Sequence, residues 1–280
     1  MRGVFSKPLF MAFEEVVHMA KFCPLYSGSS GNATFVGDSD GGILVDIGVS
    51  CKMTVDGLCA IDHKPEDIKA VFITHEHSDH IKGVRVFLKH FKVPLFASAG
   101  TLQYLQNNDC IPEGVRCHVI PNGGVEVYGM TVTGFATSHD AAESLGYRIE
   151  AGERKIAIAT DLGCITEEVQ EAIIGSDLVM LESNYDLRML EQGSYPYYLK
   201  RRIKGNRGHL SNEECADKLV DLVLHGTTRL YLGHLSKENN MPDVAFQTAA
   251  NALTSHQMTP ERDYILRVAD RYRPSRPLFF

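Results

Sequence analysis

Short β-branched runs, each closing on a polar or glycine-rich turn, set the rhythm of this chain. Residues 21–26 (KFCPLY), 42–45 (GILV), 68–74 (IKAVFIT), 130–137 (MTVTGFAT), 155–160 (KIAIAT) and 229–232 (RLYL) are apolar or alternating enough to read as strands. Residues 194–204, 211–224 and 242–257 read as helices, the last two with apolar spacing suited to covering a sheet. Ser211 and Glu214, three residues apart, supply a capping box at the start of the second helix. No linker, low-complexity tract or short-period repeat interrupts the pattern, so residues 19–280 are expected to form one domain. Residues 1–18, ahead of Met19, are read as a poorly ordered extension.

The residues that follow the 68–74 strand change the picture. His75, His77, Asp79 and His80 crowd four metal-capable side chains onto the loop where an apolar strand runs out. Alternate residues of an extended chain point the same way, which sends His75 and His77 to one side. Asp79 and His80 follow one turn later and face a second point nearby, an arrangement suited to two cations. Imidazole and carboxylate ligands accept zinc, manganese or iron, and the absence of cysteine argues against a closed structural zinc site. Glu76 and Ser78, the spacers, are read as facing outward or as supporting the ligands from behind. The pattern points to a metallohydrolase.

A binuclear site needs further ligands, and three other strand ends offer them. The 130–137 strand leads to His139, the 155–160 strand to Asp161 before Gly163, and the 229–232 strand to His234. Taken singly, each would be a packed or capping residue more often than a ligand; beside the cluster, each becomes a candidate. His209 stands just ahead of the capped helix, where a helix N-terminus favours phosphate. It is a candidate to protonate a leaving 3′-oxygen or to grip substrate. The 27–32 loop (SGSSGN) carries glycines that let amides and hydroxyls turn towards an anion, which makes Ser29 and Asn32 phosphate-binding candidates. Residues 195–207 (YPYYLKRRIKGNR) hold five basic residues, three tyrosines and no acid. Lys200, Arg201, Arg202 and Arg207 are therefore expected on phosphates, with the rings on bases or sugars.

The order HxHxDH, then His, Asp and His, resembles the metallo-β-lactamase superfamily, and the likeness extends over most of residues 21–270. Within it, SGSSGNA (27–33), ATDLG (159–163), LESNYD (181–186), RGHLSNE (207–213) and LGHLSKENN (232–240) resemble the YycJ/WalJ-like group, whose members are regarded as DNA exonucleases. The resemblance implies an α/β chain folded as a four-layer αββα sandwich: two mixed β-sheets flanked by helices, with the metals at one edge. It places one ion on His75, His77 and His139 and the other on Asp79, His80 and His234, with Asp161 bridging both. Asp46, which ends the 42–45 strand, matches the family's early aspartate and is expected to orient ligands rather than bind metal. Many metallo-β-lactamases proper carry cysteine where this chain has Asp161, which argues against an antibiotic hydrolase.

The implied cofactors are two divalent ions, zinc or manganese with iron acceptable, sharing a hydroxide at neutral pH. That hydroxide is the expected nucleophile on a phosphodiester, with Asp79 orienting it, Asp161 joining the ions and His209 serving the leaving group. The activity expected is that of a binuclear phosphodiesterase, foremost a DNA exonuclease; 5′→3′ polarity comes from the resemblance alone. A ribonuclease of the tRNA-processing type is the close alternative, although its substrate-holding arm has no obvious counterpart here. Thioester or lactone hydrolases lie further away, disfavoured by the basic, aromatic stretch.

Composition adds limits. A net charge of −7 and a pI of about 5.9 argue against a generic nucleic-acid-coating protein, while leaving room for local basic patches. Seven scattered cysteines with no CxxC pair, no recognisable secretion signal and no apolar run near twenty residues indicate reduced thiols, a cytoplasmic setting and no membrane partner. The four arginines of the 267–276 tail either touch nucleic acid or solvate the terminus, with solvation the preferred reading, and oligomeric state is left open.

Overall fold

The computed structural model describes residues 20–279, so the extension expected over residues 1–18 lies outside the described residues. In chain order, β1 (Lys21–Tyr26), β2 (Ala33–Gly37) and β3 (Gly42–Val45) form an antiparallel meander. Helix α1 (Cys51–Cys59) leads to β4 (Ile68–Phe72), which lies parallel to β3. Helices α2 (Ser78–Ile81) and α3 (Val84–Phe91), then β5 (Leu95–Ala97), α4 (Ala99–Asn107) and β6 (Cys117–Val119), complete the parallel side.

A second sheet starts with antiparallel β7 (Val125–Val127), β8 (Met130–Ala136), β9 (Leu145–Ala151) and β10 (Arg154–Ala159). Helix α5 (Glu167–Ile173) crosses to β11 (Leu178–Glu182); α6 (Leu187–Gln192), α7 (Tyr197–Ile203) and α8 (Asn212–Leu224) lead on to β12 (Arg229–Gly233). Helix α9 (Pro242–Ser255) and β13 (Ile265–Val268) extend the run, with β10 to β13 all parallel. The last strand, β14 (Leu278–Phe279), returns to pair with β1. Each sheet has seven strands among the described residues, in the orders β14-β1-β2-β3-β4-β5-β6 and β13-β12-β11-β10-β9-β8-β7.

The period-two alternation of the strands decides how these sheets stack. In β10, Ile156 and Ile158 face the first sheet, while Ala157 and Ala159 face outward. Between the sheets, Phe22, Ile43, Val45 and Phe72 meet Tyr147, Ile149, Met180 and Tyr231, all buried. Outside the first sheet, Leu44, Val71 and Ile73 pack on Leu58, Phe87 and Leu105 of the helices. Outside the second, Val179, Leu181 and Leu230 pack on Val169, Leu219 and Leu253. At about 1.5–3 kcal/mol for each large apolar side chain removed from water, these three layers dominate stability. The architecture is the four-layer αββα sandwich of two mixed sheets that the family resemblance implies.

The expected elements are present with small shifts that have local causes. The helix expected over 194–204 starts at Tyr197, because Pro196 disfavours a helical Tyr195 and itself occupies the cap. Helix α9 stops at Ser255, and Gln257 beyond it is left-handed at φ 63°. Ser211 caps α8 with the reciprocal Glu214 bond, as its sequence pattern requires. All seven cysteines are free. No helix among the described residues is long and apolar enough to cross a membrane.

Candidate metal centre

Three strand ends turn into the site through non-glycine residues held in the left-handed region: Asp46 after β3 (φ 63°), Asp161 after β10 (φ 59°) and His234 after β12 (φ 53°). Each costs on the order of 1–2 kcal/mol for an L-residue, and such strain persists only where the surroundings fix it. Tyr147 of β9 reaches across the sandwich to donate to the Ile73 carbonyl at 2.6 Å, tying the second sheet to the strand end that carries His75. Gly48 admits the Asp79 backbone, since a Cβ there would sit 1.6 Å from the Asp79 carbonyl oxygen.

From the first sheet come His75, His77, Asp79 and His80; from the second come His139, Asp161 and His234. The ligand-capable atoms of His75, His77 and His139 lie within 4.8 Å of one another, as do those of Asp79, His80 and His234. Asp161 sits between the two groups: Oδ2 is 3.3 Å from His80 Nε2, and Oδ1 is 3.7 Å from His139 Nε2 and 3.4 Å from His234 Nδ1. His77 Nδ1 faces His139 Nε2 at 3.3 Å.

The outer atoms of these rings are held by the protein. Asp46 accepts from the Thr74 amide at 2.8 Å, and its other oxygen lies 2.8 Å from His80 Nδ1, which leaves His80 Nε2 for the centre. His139 Nδ1 donates to the Gly208 carbonyl at 3.0 Å, so its Nε2 points inward. Burial alone would depress the pKa of His80, but Asp161, Asp46 and Asp79 outweigh it and raise the value. Burial likewise disfavours charge on His234, yet Asp161, Asp79 and Glu182 push it up to about 10. His75 goes the other way: burial, reinforced by His80, His139 and His77, holds it well below the ordinary range, as a neutral ring.

Sequence reasoning missed Glu182, the fully buried last residue of β11. Its Oε1 accepts from His234 Nδ1 at 2.7 Å and His209 Nδ1 at 2.9 Å, and its Oε2 from the Leu162 and Leu210 amides at 2.9 and 3.1 Å. Burial would raise its pKa, but His209 and His234 hold the carboxyl below the usual carboxylate range. The signal was available: an acid closing an apolar strand, as Asp46 and Asp161 do. Asn184, two residues on, donates to the His234 carbonyl at 2.8 Å.

Among the buried atoms that lack a hydrogen-bond partner, His75 Nε2 and Asp161 Oδ2 belong to the ligand groups. Both are lone-pair donors aimed among imidazoles and carboxylates, and leaving them unpaired in a dry interior is costly. Cations would satisfy both, so the residues present fit divalent metal ions with hard or borderline character. A β-lactamase superfamily domain model matches residues 43–235, the span that runs from β3 to the residue after His234. The chain belongs to the metallo-β-lactamase superfamily. Within it, the chain is 36% identical to exodeoxyribonuclease WalJ of Streptococcus pneumoniae and to exodeoxyribonuclease YycJ of Bacillus anthracis, in each case over 83% of this chain and 88% of the relative. Zinc-bound PqqB from Methylobacterium extorquens shares the fold at a TM-score of 0.68 and 18% identity, covering 92% of this chain and all of that one.

In this superfamily member the centre opens into a cavity of about 350 Å³ lined by His77, Asp79, His139, Asp161, His209 and His234. Ser29, Tyr195, Leu199 and Arg202 also line it. Leu199, Arg202 and Ile203 share one face of α7 on the cavity, with Tyr195 just ahead of the helix, and Lys200 and Arg201, expected on phosphate, do not line it. Lys200 Nζ instead donates to the Glu191 and Gly193 carbonyls, and Arg202 is ion-paired with Asp140. Arg207, also expected on phosphate, donates to the His139 carbonyl at 3.0 and 3.1 Å. Asn32 is buried, and its amide braces the loop: Oδ1 accepts from Gly28 N at 2.9 Å and Nδ2 donates to the Asp79 carbonyl at 3.2 Å. Both side chains brace the ligand loops through these bonds. Close approach at Gly163, where a Cβ would lie 2.1 Å from the Asn206 carbonyl, lets the 206–209 segment deliver His209 over the Asp161 turn.

Because the ligand atoms come from both sheets, an ion held by them links the halves of the sandwich. Binding only to the folded state at a thousandfold excess over Kd stabilises by about 4 kcal/mol, or roughly 10 °C for a domain of this size. Chelator-stripped protein is expected to melt lower by that order in a calorimetric scan, and to regain the loss on adding zinc or manganese. Identical melting curves would detach this cluster from metal binding.

Proposed function

We propose that this chain is a metal-dependent phosphodiesterase that shortens DNA from its 5′ ends. The observation that carries this reading is the meeting of two ligand groups around Asp161 with the His209–Glu182 pair at the floor of one cavity. On this reading His75, His77 and His139 hold one divalent ion and Asp79, His80 and His234 the other, with Asp161 between them. Zinc and manganese both suit the donor set. When bound, such ions supply an activated water at neutral pH and neutralise charge on phosphoryl oxygens.

The chain's own groups do the rest. Asp79, partly exposed in the cavity, accepts a hydrogen bond from the attacking water and aligns it. Asp46 and the Gly208 carbonyl fix which ring nitrogens of His80 and His139 carry a proton, so the free nitrogens are ready as ligands. His209, its Nδ1 on Glu182, presents Nε2 to the leaving 3′-oxygen and donates the proton that oxygen needs. Burial works against a charged His209, but Glu182 and Asp161 raise its pKa and favour the protonated ring that this role requires. Tyr195 and Arg202 of the cavity wall, with Ser29 across the loop, contact the strand. The deoxyribonucleotide preference rests on the names of the two relatives, the polarity on the group resemblance, and a cytoplasmic setting on the reduced cysteines.

The test is cleavage by metal-stripped protein reconstituted separately with zinc and manganese, on end-labelled duplex DNA, single-stranded DNA and RNA, beside His77→Ala. Metal-dependent loss of 5′-terminal nucleotides from DNA, absent in the variant, is expected. Failure to cut any nucleic acid with metals fully loaded would overturn the reading in favour of acyl substrates, and preferential cutting of RNA would move it to ribonucleases.

A further inference from the structure

On α7, Arg202 is ion-paired with Asp140, Lys204 with Glu191, and Lys200 donates to two carbonyl oxygens. The arginine-rich C-terminal segment behaves differently from the solvated tail expected of it. Arg271 folds back 36 residues to donate to the Leu235 carbonyl, next to His234, at 2.8 Å. Its Nη1 lies 3.5 Å from Ser30 Oγ, and no carboxylate among the described residues pairs with it within 4 Å. The guanidinium is partly buried, and burial lowers its pKa against the opposing charges of Tyr272 and Glu238. Two features seat the 27–32 loop against it. The Ser27 amide donates to the Asp270 carbonyl at 3.0 Å, and a Cβ on Gly28 would come within 3.0 Å of Arg271 Nη1. Ser29 and Ser236, the neighbours of these contacts, line the metal cavity. Tyr272 lies beside the guanidinium, with its ring centroid 6.0 Å from Arg271 Cζ, and is 68% exposed.

We propose that Arg271, with the exposed hydroxyls of Ser29 and Ser30, forms a phosphate subsite for the DNA backbone on the part of the rim away from α7, with Tyr272 offering its ring to a base. An unpaired, partly desolvated guanidinium next to hydroxyl donors is matched by a phosphate, which accepts two parallel N–H bonds in the fork geometry. This subsite rests on the phosphodiesterase reading and extends it from the reacting phosphate to a neighbouring one.

The experiment compares wild type, Arg271→Ala, Arg271→Lys and Tyr272→Ala, all metal-loaded, on a single-stranded DNA oligomer and on bis(p-nitrophenyl) phosphate, which offers one phosphate only. For Arg271→Ala the expected result is a KM for the oligomer raised about tenfold, the size of one lost charge-assisted bond. The slope of log affinity against log salt is expected to fall by about 0.7, the loss of one phosphate contact on a single strand. Arg271→Lys should recover most of the salt slope but not all of the KM, and Tyr272→Ala should weaken oligomer binding with the salt slope unchanged. Equal losses on both substrates that lysine does not rescue would mean that Arg271 only props the Leu235 turn, and would overturn the subsite. So would an unchanged oligomer KM and salt slope. A wild type that cleaves the small diester but no nucleic acid would instead sink the DNA reading itself, so the two failures are distinguishable.

Discussion

Asp161→Asn is expected to lower turnover by a factor on the order of a thousand while leaving the fold intact, because on the proposed reading this carboxylate would join the two ligand groups and help to position a water whose pKa bound metal ions would lower from about 16 towards 7. Asparagine is the informative replacement. It tolerates the left-handed backbone at this position, where alanine adds strain of its own. It also preserves volume in a residue that is only 2% exposed. Activity and circular dichroism measured on the same preparation check the two halves of the prediction. If the variant retained a tenth or more of wild-type turnover with native spectra, Asp161 would not be the shared ligand.

The second large effect is expected at Glu182. Glu182→Gln should reduce turnover by about 10- to 100-fold and weaken metal retention by a similar factor, the usual result of disturbing a group that orients metal ligands. The reason lies in its bonding. All four partners of this carboxylate are N–H donors, and a glutamine side chain offers oxygen to only one side, turning its own donors against the other. His234 and His209 would both lose orientation. Paired measurement of metal content after dialysis and of kcat separates this from His209→Ala, which is expected to lose turnover and keep its metal. Retained metal in Glu182→Gln would place Glu182 on the His209 side alone.

Much of this centre is legible in sequence because each ligand-capable residue follows an apolar run, and the end of a run marks the edge of a sheet. That logic located His139, Asp161 and His234, and it would have found Glu182 had the acid in LESNYD been weighed as Asp161 was. In the basic stretch, counting charges leaves out helical phase; a period of 3.6 separates Arg202, on the cavity, from Lys200 and Arg201. A glycine-serine loop advertises free donors at Asn32, whereas its Nδ2 is engaged by Asp79 and His80, 47 and 48 residues away. For Arg271 the sequence offers only a basic tail that either touches nucleic acid or solvates the terminus; the contacts that fix its place are long-range. Its contact with Ser30 spans 241 residues and exists only after β14 has brought the chain's end back to β1.

The order in which the site residues occur along the chain sets when a metal can be gripped. A ribosome exposes the 75–80 cluster well before the segments bearing Asp161, Glu182 and His234, so a nascent chain first carries imidazoles with neither the shared carboxylate nor the buried anchor behind them. That partial set has nothing to restrain it against the competing thiols and buffers of a living cell. The complete set of ligand-capable groups therefore exists only once the second sheet has docked on the first.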